Sequence, residues 1–343
     1  MKKILITGGL GLVGANYAKF CLDRDDDVYI LDNYSHGQAS YRNAEWLLSG
    51  DKIPVIRKGN IANYMDLAAL LGASHGLDAV VHAVSCSSAE PMKDFEAQTV
   101  GMFNLLEILR CESPATRVVN LASRRIYDTG KWPVQREGRR CRWVSRRVGP
   151  AETFPLDVDA HDLFTAGQIS GIYYSRAFAD LYDLPIVTLV LSAVYGRHHY
   201  GRTASHGGVS WLAIAGELGL PVKVCGDGSA TSDMLHVSDV VTAVDRVLDI
   251  ASVARGSLFN VGGGPSNTVA LRELIEMVED LERRKLHVTY EDAEAEDPTY
   301  VTNYEKMLSL GWTPSRGLLD GLSDLVEWVR VEKPILRTLY SVR

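Results

Sequence analysis

The sequence predicts an α/β fold in which a doubly wound parallel sheet is joined to a smaller C-terminal domain. Short apolar runs alternate with helical patterns through the first half of the chain, an alternation typical of parallel strands with helices on both faces. A glycine-rich turn directly follows the first apolar run. The second half alternates less regularly, which indicates a separate and smaller unit.

The first fourteen residues contain the strongest local signal. The apolar run Lys3–Ile6 is long enough for one buried strand, Thr7–Gly14 follows it as TGGLGLVG, and an amphipathic stretch begins at Ala15. A strand, a glycine turn and a helix in this order bring backbone N–H groups and a helix N-terminus against a pyrophosphate. Glycine permits the tight turn, the close approach of a cofactor and the packing of helix on strand. The predicted cofactor contacts in this segment are Gly8, Gly11, Leu12, Val13 and Gly14.

An acidic residue lies at the distance from the glycine turn that a dinucleotide site requires. Val28–Leu31 is predicted as the second strand, and Asp32 and Asn33 follow it. A carboxylate at this position accepts hydrogen bonds from the adenosine ribose hydroxyls, which favours NAD over NADP. The alternative is a glycine turn with a purely structural role.

The ends of the other predicted strands supply further candidate binding residues. Predicted strands of the first half lie at Ile53–Ile56, Asp78–Ala83, Arg117–Leu121 and Pro185–Leu191, with helices at Tyr64–Leu71, Asp94–Cys111 and Asp162–Tyr182. Ligands of such sheets bind at the carboxyl ends of the strands. The candidates at those ends are Asn60, Ile61, Ala83, Val84 and Ser123.

The second half contains fewer recognisable elements. They are a short strand that ends in a turn at Phe259–Gly263 and helices at Val237–Ile250, Thr268–Leu281 and Leu318–Val329. We assign an NAD-binding Rossmann domain to residues 1–190 plus about 235–262, and a substrate-binding domain to residues 191–234 and 263–343. A chain of 343 residues is long enough for one large or two modest domains.

Composition narrows the range of partners. Of the 343 residues, 46% are hydrophobic and 23% are charged, as in an ordinary globular protein. The net charge of −7 argues against generic nucleic-acid binding. We expect no signal peptide and no membrane-spanning segment from the pattern of apolar runs, and the five cysteines lack metal-type spacing. We therefore expect a cytoplasmic protein with a small-molecule substrate and with no metal site, membrane partner or nucleic-acid partner.

The segment from Lys131 to Arg147 differs in composition from the rest of this acidic chain. It contains six arginines, namely Arg136, Arg139, Arg140, Arg142, Arg146 and Arg147. One interpretation is a solvated surface loop. A second is an anion-binding flap over the active-site cleft, since guanidinium groups match phosphate and carboxylate. A third is a contact with another protein, and all three remain open on sequence alone.

These motifs resemble those of the extended short-chain dehydrogenase/reductase superfamily, and within it the NAD-dependent nucleotide-sugar epimerases and dehydratases. The matching segments follow the family's order over nearly the whole chain: TGGLGLVG at Thr7–Gly14, LDNYS at Leu31–Ser35, GNI at Gly59–Ile61, DAVVHAV at Asp78–Val84, VGMFNLLE at Val100–Glu107, VYG at Val194–Gly196, DMLHVSDV at Asp233–Val240 and FNVGGG at Phe259–Gly264. The insert between Tyr127 and Asp162 looks most like that of CDP-tyvelose 2-epimerase-like members. The resemblance implies NAD as the cofactor and a homodimer formed through the helices at Asp94–Cys111 and Asp162–Tyr182.

The catalytic residues that the resemblance implies are only partly present. A Ser or Thr after the fifth strand holds the substrate hydroxyl in the family, and Ser123 occupies that place. A Tyr then acts as general acid/base, and a Lys four residues later lowers its pKa and holds the nicotinamide ribose; this chain has Phe164 and Gln168 instead. Phe has no proton to give, and Gln has no charge, although its amide can bond the ribose. Because general acid–base catalysis commonly contributes ~10²–10⁴-fold, we expect a non-standard arrangement.

Three other side chains are candidates for the missing proton transfer. Tyr127 follows the fifth strand, His161 precedes Phe164 by three residues, and Cys86 follows the fourth strand. The ordinary alternatives are a structural aromatic residue, a helix-start histidine and a buried, unreactive thiol. Tyr127 also begins a second Tyr-x-x-x-Lys pattern, but Gly130 within it disfavours a helix.

Residues that hold a nucleotide diphosphate in the family are missing as well. The resemblance places an Arg and an Asn at Val190 and Ala193, an Arg at Ser232, and another Arg within the acidic stretch 293–298. An acidic stretch repels a diphosphate. We therefore expect a sugar-like or other hydroxylated small molecule rather than a conventional nucleotide sugar, unless the arginine-rich insert holds the anion elsewhere.

Two functions are compatible with this pattern. The first is an epimerase/dehydratase-like isomerase or lyase with tightly bound NAD and a non-standard acid/base, serving a biosynthetic role. In a variant of it, NAD acts as a shaped, charged surface for a non-redox reaction. The second is a redox-silent, NAD-binding regulatory or partner-binding protein on the same fold.

Overall fold

A computed structural model of the chain describes residues 1–74, 76–85, 90–128, 133–143, 148–157, 162–201, 208–292 and 299–341. The strands are β1 (Lys3–Thr7), β2 (Asp27–Asp32), β3 (Val55–Lys58), β4 (Ala79–His82), β5 (Arg117–Ser123), β6 (Val134–Glu137), β7 (Arg140–Trp143), β8 (Ile186–Leu191), β9 (Ala193–Tyr195), β10 (Pro221–Cys225), β11 (Thr231–His236), β12 (Leu258–Val261), β13 (Thr268–Ala270) and β14 (His287–Glu291). The helices are α1 (Leu12–Asp23), α2 (Gln38–Leu48), α3 (Tyr64–Ser74), α4 (Pro91–Phe95), α5 (Gly101–Glu112), α6 (Leu163–Tyr182), α7 (Gly208–Leu218), α8 (Val237–Leu248), α9 (Leu271–Glu282), α10 (Glu305–Ser309) and α11 (Leu318–Leu339).

The predicted parallel sheet is confirmed. Seven strands lie in the order β12-β8-β5-β4-β1-β2-β3, and every neighbouring pair is parallel. The strand order reverses between β1 and β4, and the crevice above such a point is where an open α/β sheet binds its ligand. Thr7 at the end of β1 lies opposite Leu31 on one side and His82 on the other. The register therefore brings the glycine turn beside the ends of β2 and β4.

Apolar residues of the central strands build a core on each face of this sheet. On one face α1 and α8 pack with Ile4 and Ile6. On the other face α3, α5 and α6 pack with Leu5 and Val80. Because both faces are covered, the central strands are near-continuous apolar runs, which is why they were recognisable in the sequence.

A second core belongs to the C-terminal half. Helices α7, α9 and α11 pack together with the parallel pair β10–β14 and the three-stranded sheet β13-β11-β9. Segment β12 instead returns to the large sheet and pairs with β8. The two halves contact each other just beyond the carboxyl ends of β5 and β8, where Arg124 bonds Ser232 and Ser192 bonds Asp233.

Two of the predicted helices needed correction. The helix expected over Thr268–Leu281 begins only at Leu271, because residues Thr268–Ala270 form β13 and pair with β11. The side chain of Glu273 accepts a hydrogen bond from the Ala270 backbone N–H at 3.0 Å and thereby caps the helix start. The helix expected over Asp94–Cys111 contains a π-helical turn at Glu96–Val100.

The arginine-rich insert contains a β-hairpin, β6–β7, that docks on the C-terminal half. The Cys141 backbone N–H donates to the Ser229 carbonyl oxygen at 2.9 Å. Its described arginines all pair with carboxylates: Arg136 with Asp227, Arg139 with Glu276, Arg140 with Glu273 and Arg142 with Glu137. These guanidinium groups therefore bind acids of the same chain, which favours an intramolecular strap over an anion-binding flap. Arg146 and Arg147 lie outside the described residues.

Across the described ranges, no helix has both the length and the apolar character needed to cross a membrane. The same residues include no group of three or more His, Cys, Asp or Glu placed to bind a metal ion.

Candidate active site

At two positions of the turn after β1, a backbone carbonyl oxygen leaves no room for a side chain. Gly8 has a φ of +69°, and a Cβ added there would lie 2.8 Å from the carbonyl oxygen of Ala83. A Cβ at Gly14 would lie 2.5 Å from the carbonyl oxygen of Gly8. Helix α1 therefore sits directly on the turn, and the turn sits directly on the end of β4, where Val84 follows Ala83.

The N-terminus of α1 faces the crevice at this turn. Gly11 is the N-cap, in extended conformation and without a side chain, and its N–H donates to the Gly8 carbonyl oxygen at 3.1 Å. Leu12 and Val13 form the first turn, whose backbone N–H groups have no partners within the helix. Such an N-terminus favours an anion through its N–H groups and its dipole. The backbone cradle therefore fits the pyrophosphate of NAD.

Asp32 links the glycine turn to the end of β2. Its Oδ2 accepts a hydrogen bond from the Leu10 backbone N–H at 3.0 Å, and its Oδ1 accepts one from the Tyr34 N–H at 2.8 Å. Burial raises the pKa of this carboxyl above its ordinary value, and the two backbone bonds oppose that shift. An ionised carboxylate has about four acceptor sites, so Asp32 can accept from ribose hydroxyls while it holds the turn.

The remaining predicted cofactor contacts have structural bonds at the neighbouring strand ends. The Asn33 side-chain oxygen accepts from the Ser35 backbone N–H at 2.9 Å, and that of Asn60 accepts from the Ala62 N–H at 3.1 Å. Ile61 is buried against Gly101, where a Cβ would lie 2.4 Å from the Ile61 side chain. Both asparagines therefore fix the loops that border the crevice.

Ser123 and Gln168 are joined by a chain of amide hydrogen bonds. The Ser123 backbone N–H donates to Gln168 Oε1 at 2.9 Å, and Gln168 Nε2 donates to Gln98 Oε1 at 2.7 Å. Gln168 is 8% exposed and Gln98 is 3% exposed. Gln98 lies on the π-helical turn, a feature frequent at functional sites. A neutral amide pair thus fills the place that the resemblance gives to a lysine.

The other proton-transfer candidates are placed less favourably. The Tyr127 hydroxyl is buried, donates to Asn260 Oδ1 at 2.8 Å, and has a pKa raised by burial. This geometry favours a structural role for Tyr127. Phe164 is half-buried under the guanidinium of Arg125, 5.5 Å from the ring centroid. Cys86 and His161 lie outside the described residues.

Sequence reasoning did not single out Arg124, Arg125 or Gln98. The two arginines follow Ser123 directly, in a 3₁₀ turn over Arg124–Ile126. The Ser123 hydroxyl accepts from the Arg125 backbone N–H at 3.3 Å, which starts that turn. The sequence signal that could have identified the two arginines is their position at the carboxyl end of a central strand. No sequence signal pointed to Gln98, which is 70 residues from its partner Gln168.

A model of the NAD dependent epimerase/dehydratase family matches residues 4–262. The chain is 27% identical to the CDP-paratose 2-epimerase of Salmonella typhi over 95% of this chain and 98% of that protein. It is also 27% identical to a dTDP-glucose 4,6-dehydratase of Xanthomonas campestris, over 94% of this chain and 92% of the other.

The fold matches solved structures over nearly its full length. A dTDP-glucose 4,6-dehydratase from Bacillus anthracis, solved in complex with NAD, superposes with a TM-score of 0.81 at 21% identity and covers 99% of this chain and 100% of its own. At this identity the likeness establishes the fold.

Proposed function

Because the chain belongs to the NAD dependent epimerase/dehydratase family, we propose that it is an isomerase or lyase that holds NAD tightly and acts on a sugar-like substrate with a non-standard acid/base arrangement. The supporting observation is the contrast within one crevice. The glycine turn and Asp32 are arranged for the dinucleotide, while a buried neutral amide replaces the charged lysine beside Ser123. The named relatives act on nucleotide sugars, so a sugar with or without a nucleotide is the proposed substrate class.

Each residue of the crevice has a separate proposed task. The N–H groups at the start of α1 bind the pyrophosphate, and Asp32 accepts from the adenosine ribose. When bound, NAD supplies a nicotinamide ring that accepts and returns a hydride. Ser123 is held at the strand end by Gln168 and by the Arg125 N–H. In that position its hydroxyl orients the substrate hydroxyl that is to be oxidised.

We assign proton transfer to residues other than Phe164 and Gln168. Phenylalanine has no titratable group, and the Gln168 amide already holds Ser123 and Gln98. Burial, assisted by the charge of Glu152, raises the pKa of Tyr127 and so disfavours loss of its proton. Of the remaining sequence candidates, His161 is the proposed general base, because an imidazole ordinarily titrates near neutral pH, and Cys86 is the alternative. Both assignments rest on sequence position.

The experiment is a turnover assay with CDP-, dTDP- and UDP-linked hexoses, with products resolved by NMR. We expect one substrate to be epimerised or dehydrated, and Ser123→Ala to lower the rate by about 10²-fold. His161→Gln is expected to abolish the rise of the rate with increasing pH that a general base produces when it loses its proton. Tyr127→Phe is expected to leave the pH–rate profile unchanged. No conversion by a protein that retains NAD would contradict the enzymatic proposal.

The alternative function is a redox-silent, NAD-binding partner of another protein. The observation that favours it is the neutral amide network. Both the oxygen and the nitrogen of the Gln168 side-chain amide are hydrogen-bonded, and this residue provides no charge near the nicotinamide site. Recovery of a stable partner in a pulldown, together with retained NAD and no turnover, supports this alternative.

A further inference from the structure

Arg124 is a buried arginine that lies next to Ser123 and contacts both units of the chain. Its side chain is 7% exposed and leaves the end of β5 directly after Ser123. The guanidinium donates to the Ser232 hydroxyl on β11 and lies 5.1 Å from the centroid of the Tyr300 ring. Arg124 thus reaches from the cofactor-side unit to the C-terminal unit across the junction above β5.

The neighbouring arginine is placed differently. Arg125 points to the rim, where its guanidinium pairs with Asp162 at 3.3 Å and both side chains are more than two-fifths exposed. A solvated ion pair of that kind contributes little to binding. The buried guanidinium of Arg124 has a low-dielectric environment, in which an interaction with an anion is much stronger than in water.

We propose that Arg124, held by Ser232 and Tyr300, binds an oxyanion of the substrate next to the reacting hydroxyl at Ser123. The inference rests on the proposed function, since it names a contact within the same substrate site. A guanidinium has five N–H donors in a planar fork that matches two oxygens of a phosphate or carboxylate. A hydroxyl that accepts from the guanidinium still has its own hydrogen to donate, so Ser232 adds a second donor type to the site.

This placement revises the substrate expectation drawn from the sequence. Ser232 occupies a position where the resemblance implies an arginine, and that substitution predicted a substrate without a conventional nucleotide diphosphate. The structure places the guanidinium of Arg124 on the Ser232 hydroxyl itself. A cation therefore lies beside Ser232, and it comes from the turn after β5 rather than from β11. The oxyanion is either the diphosphate of a nucleotide-linked sugar or a carboxylate on the sugar.

The test is calorimetric binding by purified protein supplemented with NAD. The probes are UDP, CDP and dTDP, each compared with its nucleoside, and UDP-glucuronate compared with UDP-glucose. We expect Arg124→Gln to weaken nucleoside diphosphate binding by about 10–100-fold and to leave nucleoside binding unchanged. Ser232→Ala keeps the charge and is expected to weaken the same binding by about 2–10-fold. The matched control is Arg255→Gln, which is expected to bind like the native protein. Arg255 is an exposed arginine that precedes β12 and pairs with Asp183.

The two sources of the oxyanion give different results. If the sugar carboxylate is the partner, Arg124→Gln weakens UDP-glucuronate relative to UDP-glucose and leaves the diphosphates unaffected. Native affinities for every probe in Arg124→Gln would overturn the inference, and so would equal losses for nucleosides and diphosphates. If Arg124→Gln does not fold, unchanged binding by Ser232→Ala overturns it. NAD content is measured for each protein. If the native chain binds no NAD and Arg124→Gln still lowers the affinity for diphosphates, the proposed function is contradicted and the inference about Arg124 is not.

Discussion

At the scale of single residues, the site is defined by what Gln168 can and cannot do. Its amide oxygen accepts from the Ser123 N–H, and its amide nitrogen donates to Gln98. An ammonium at this position donates three hydrogen bonds but accepts none. The motif spacing predicts that Phe164 and Gln168 replace the family pair, and the structure places Gln168 beside Ser123. The partner Gln98 was not predictable, because a contact between distant helices depends on tertiary packing rather than on local pattern.

We predict that Gln168→Lys destabilises the protein rather than restoring the family's chemistry. The substitution leaves the partly buried Ser123 N–H without its acceptor, which costs about 1 kcal/mol, although the new ammonium can still donate to Gln98. The measurement is the free energy of unfolding in urea. Phe164→Tyr is the control, since this half-buried ring can place a hydroxyl toward solvent. A Gln168→Lys protein as stable as the native one contradicts the prediction.

At the scale of elements, the hairpin β6–β7 and helix α9 share one carboxylate. Glu273 accepts from the Ala270 N–H at 3.0 Å as the helix cap and from Arg140 Nε at 2.7 Å. Glu276, one turn further along α9, pairs with Arg139 and has no part in the cap. The sequence showed that the insert is basic, but not where it docks, because the complementary acids of the C-terminal half lie more than 90 residues away.

We expect Glu273→Ala to destabilise the protein by about 1–2 kcal/mol, since both a helix cap and a hydrogen-bonded ion pair are lost. Glu276→Ala removes only an exposed ion pair. The resulting destabilisation is expected to be smaller than that of Glu273→Ala and to vanish at high salt. Thermal unfolding at low and high ionic strength measures both effects. Equal losses for the two variants would show that the cap contributes nothing.

At the scale of the whole molecule, the junction between the two cores contains a strained histidine. His198 follows β9 with a φ of +64°, and its ring stacks on Trp46 of α2 at a centroid distance of 3.5 Å. Trp328 of α11 lies 5.5 Å from the same ring. The sequence did not predict this junction, because neither the left-handed conformation nor the two tryptophan partners follow from local pattern.

Stability is predicted to fall as the pH falls through the range in which this histidine would titrate. Burial, assisted by the charge of Arg197, lowers the pKa of His198 from 6.5 to about 4. Below pH 6.5 the unfolded chain takes up a proton that the native ring does not, so the free energy of unfolding decreases down to about pH 4. The contribution is about 1–3 kcal/mol. His198→Gln should flatten the curve of unfolding free energy against pH; an unchanged slope contradicts this.

The helices α5 and α6 present an aromatic face to solvent. Ile172 and Phe178, two of the apolar residues that suggested a dimer, are buried within the chain, whereas Tyr173 is 55% exposed. Phe103 of α5 is 42% exposed and packs edge-on against Tyr174 at 5.5 Å. An exposed apolar patch of this kind marks an interaction surface, so the homodimer remains a prediction with a defined face.

We expect sedimentation of the native protein to give a dimer and Tyr173→Glu to give a monomer, because a buried unpaired carboxylate opposes association. Tyr64→Glu, at an exposed tyrosine on α3, is the control and should remain dimeric. A native monomer, or a dimer in both variants, would show that this face is not the interface.

The central claim is that the crevice still binds NAD although the Tyr and Lys of the family are replaced. The most direct measurement is to denature the purified protein and quantify the nucleotide that is released, with Gly14→Val as the comparison, since a side chain there collides with the Gly8 carbonyl. The account predicts close to one NAD per chain from the native protein and almost none from Gly14→Val. The account is contradicted if the native protein releases no NAD and also shows no measurable affinity for added NAD.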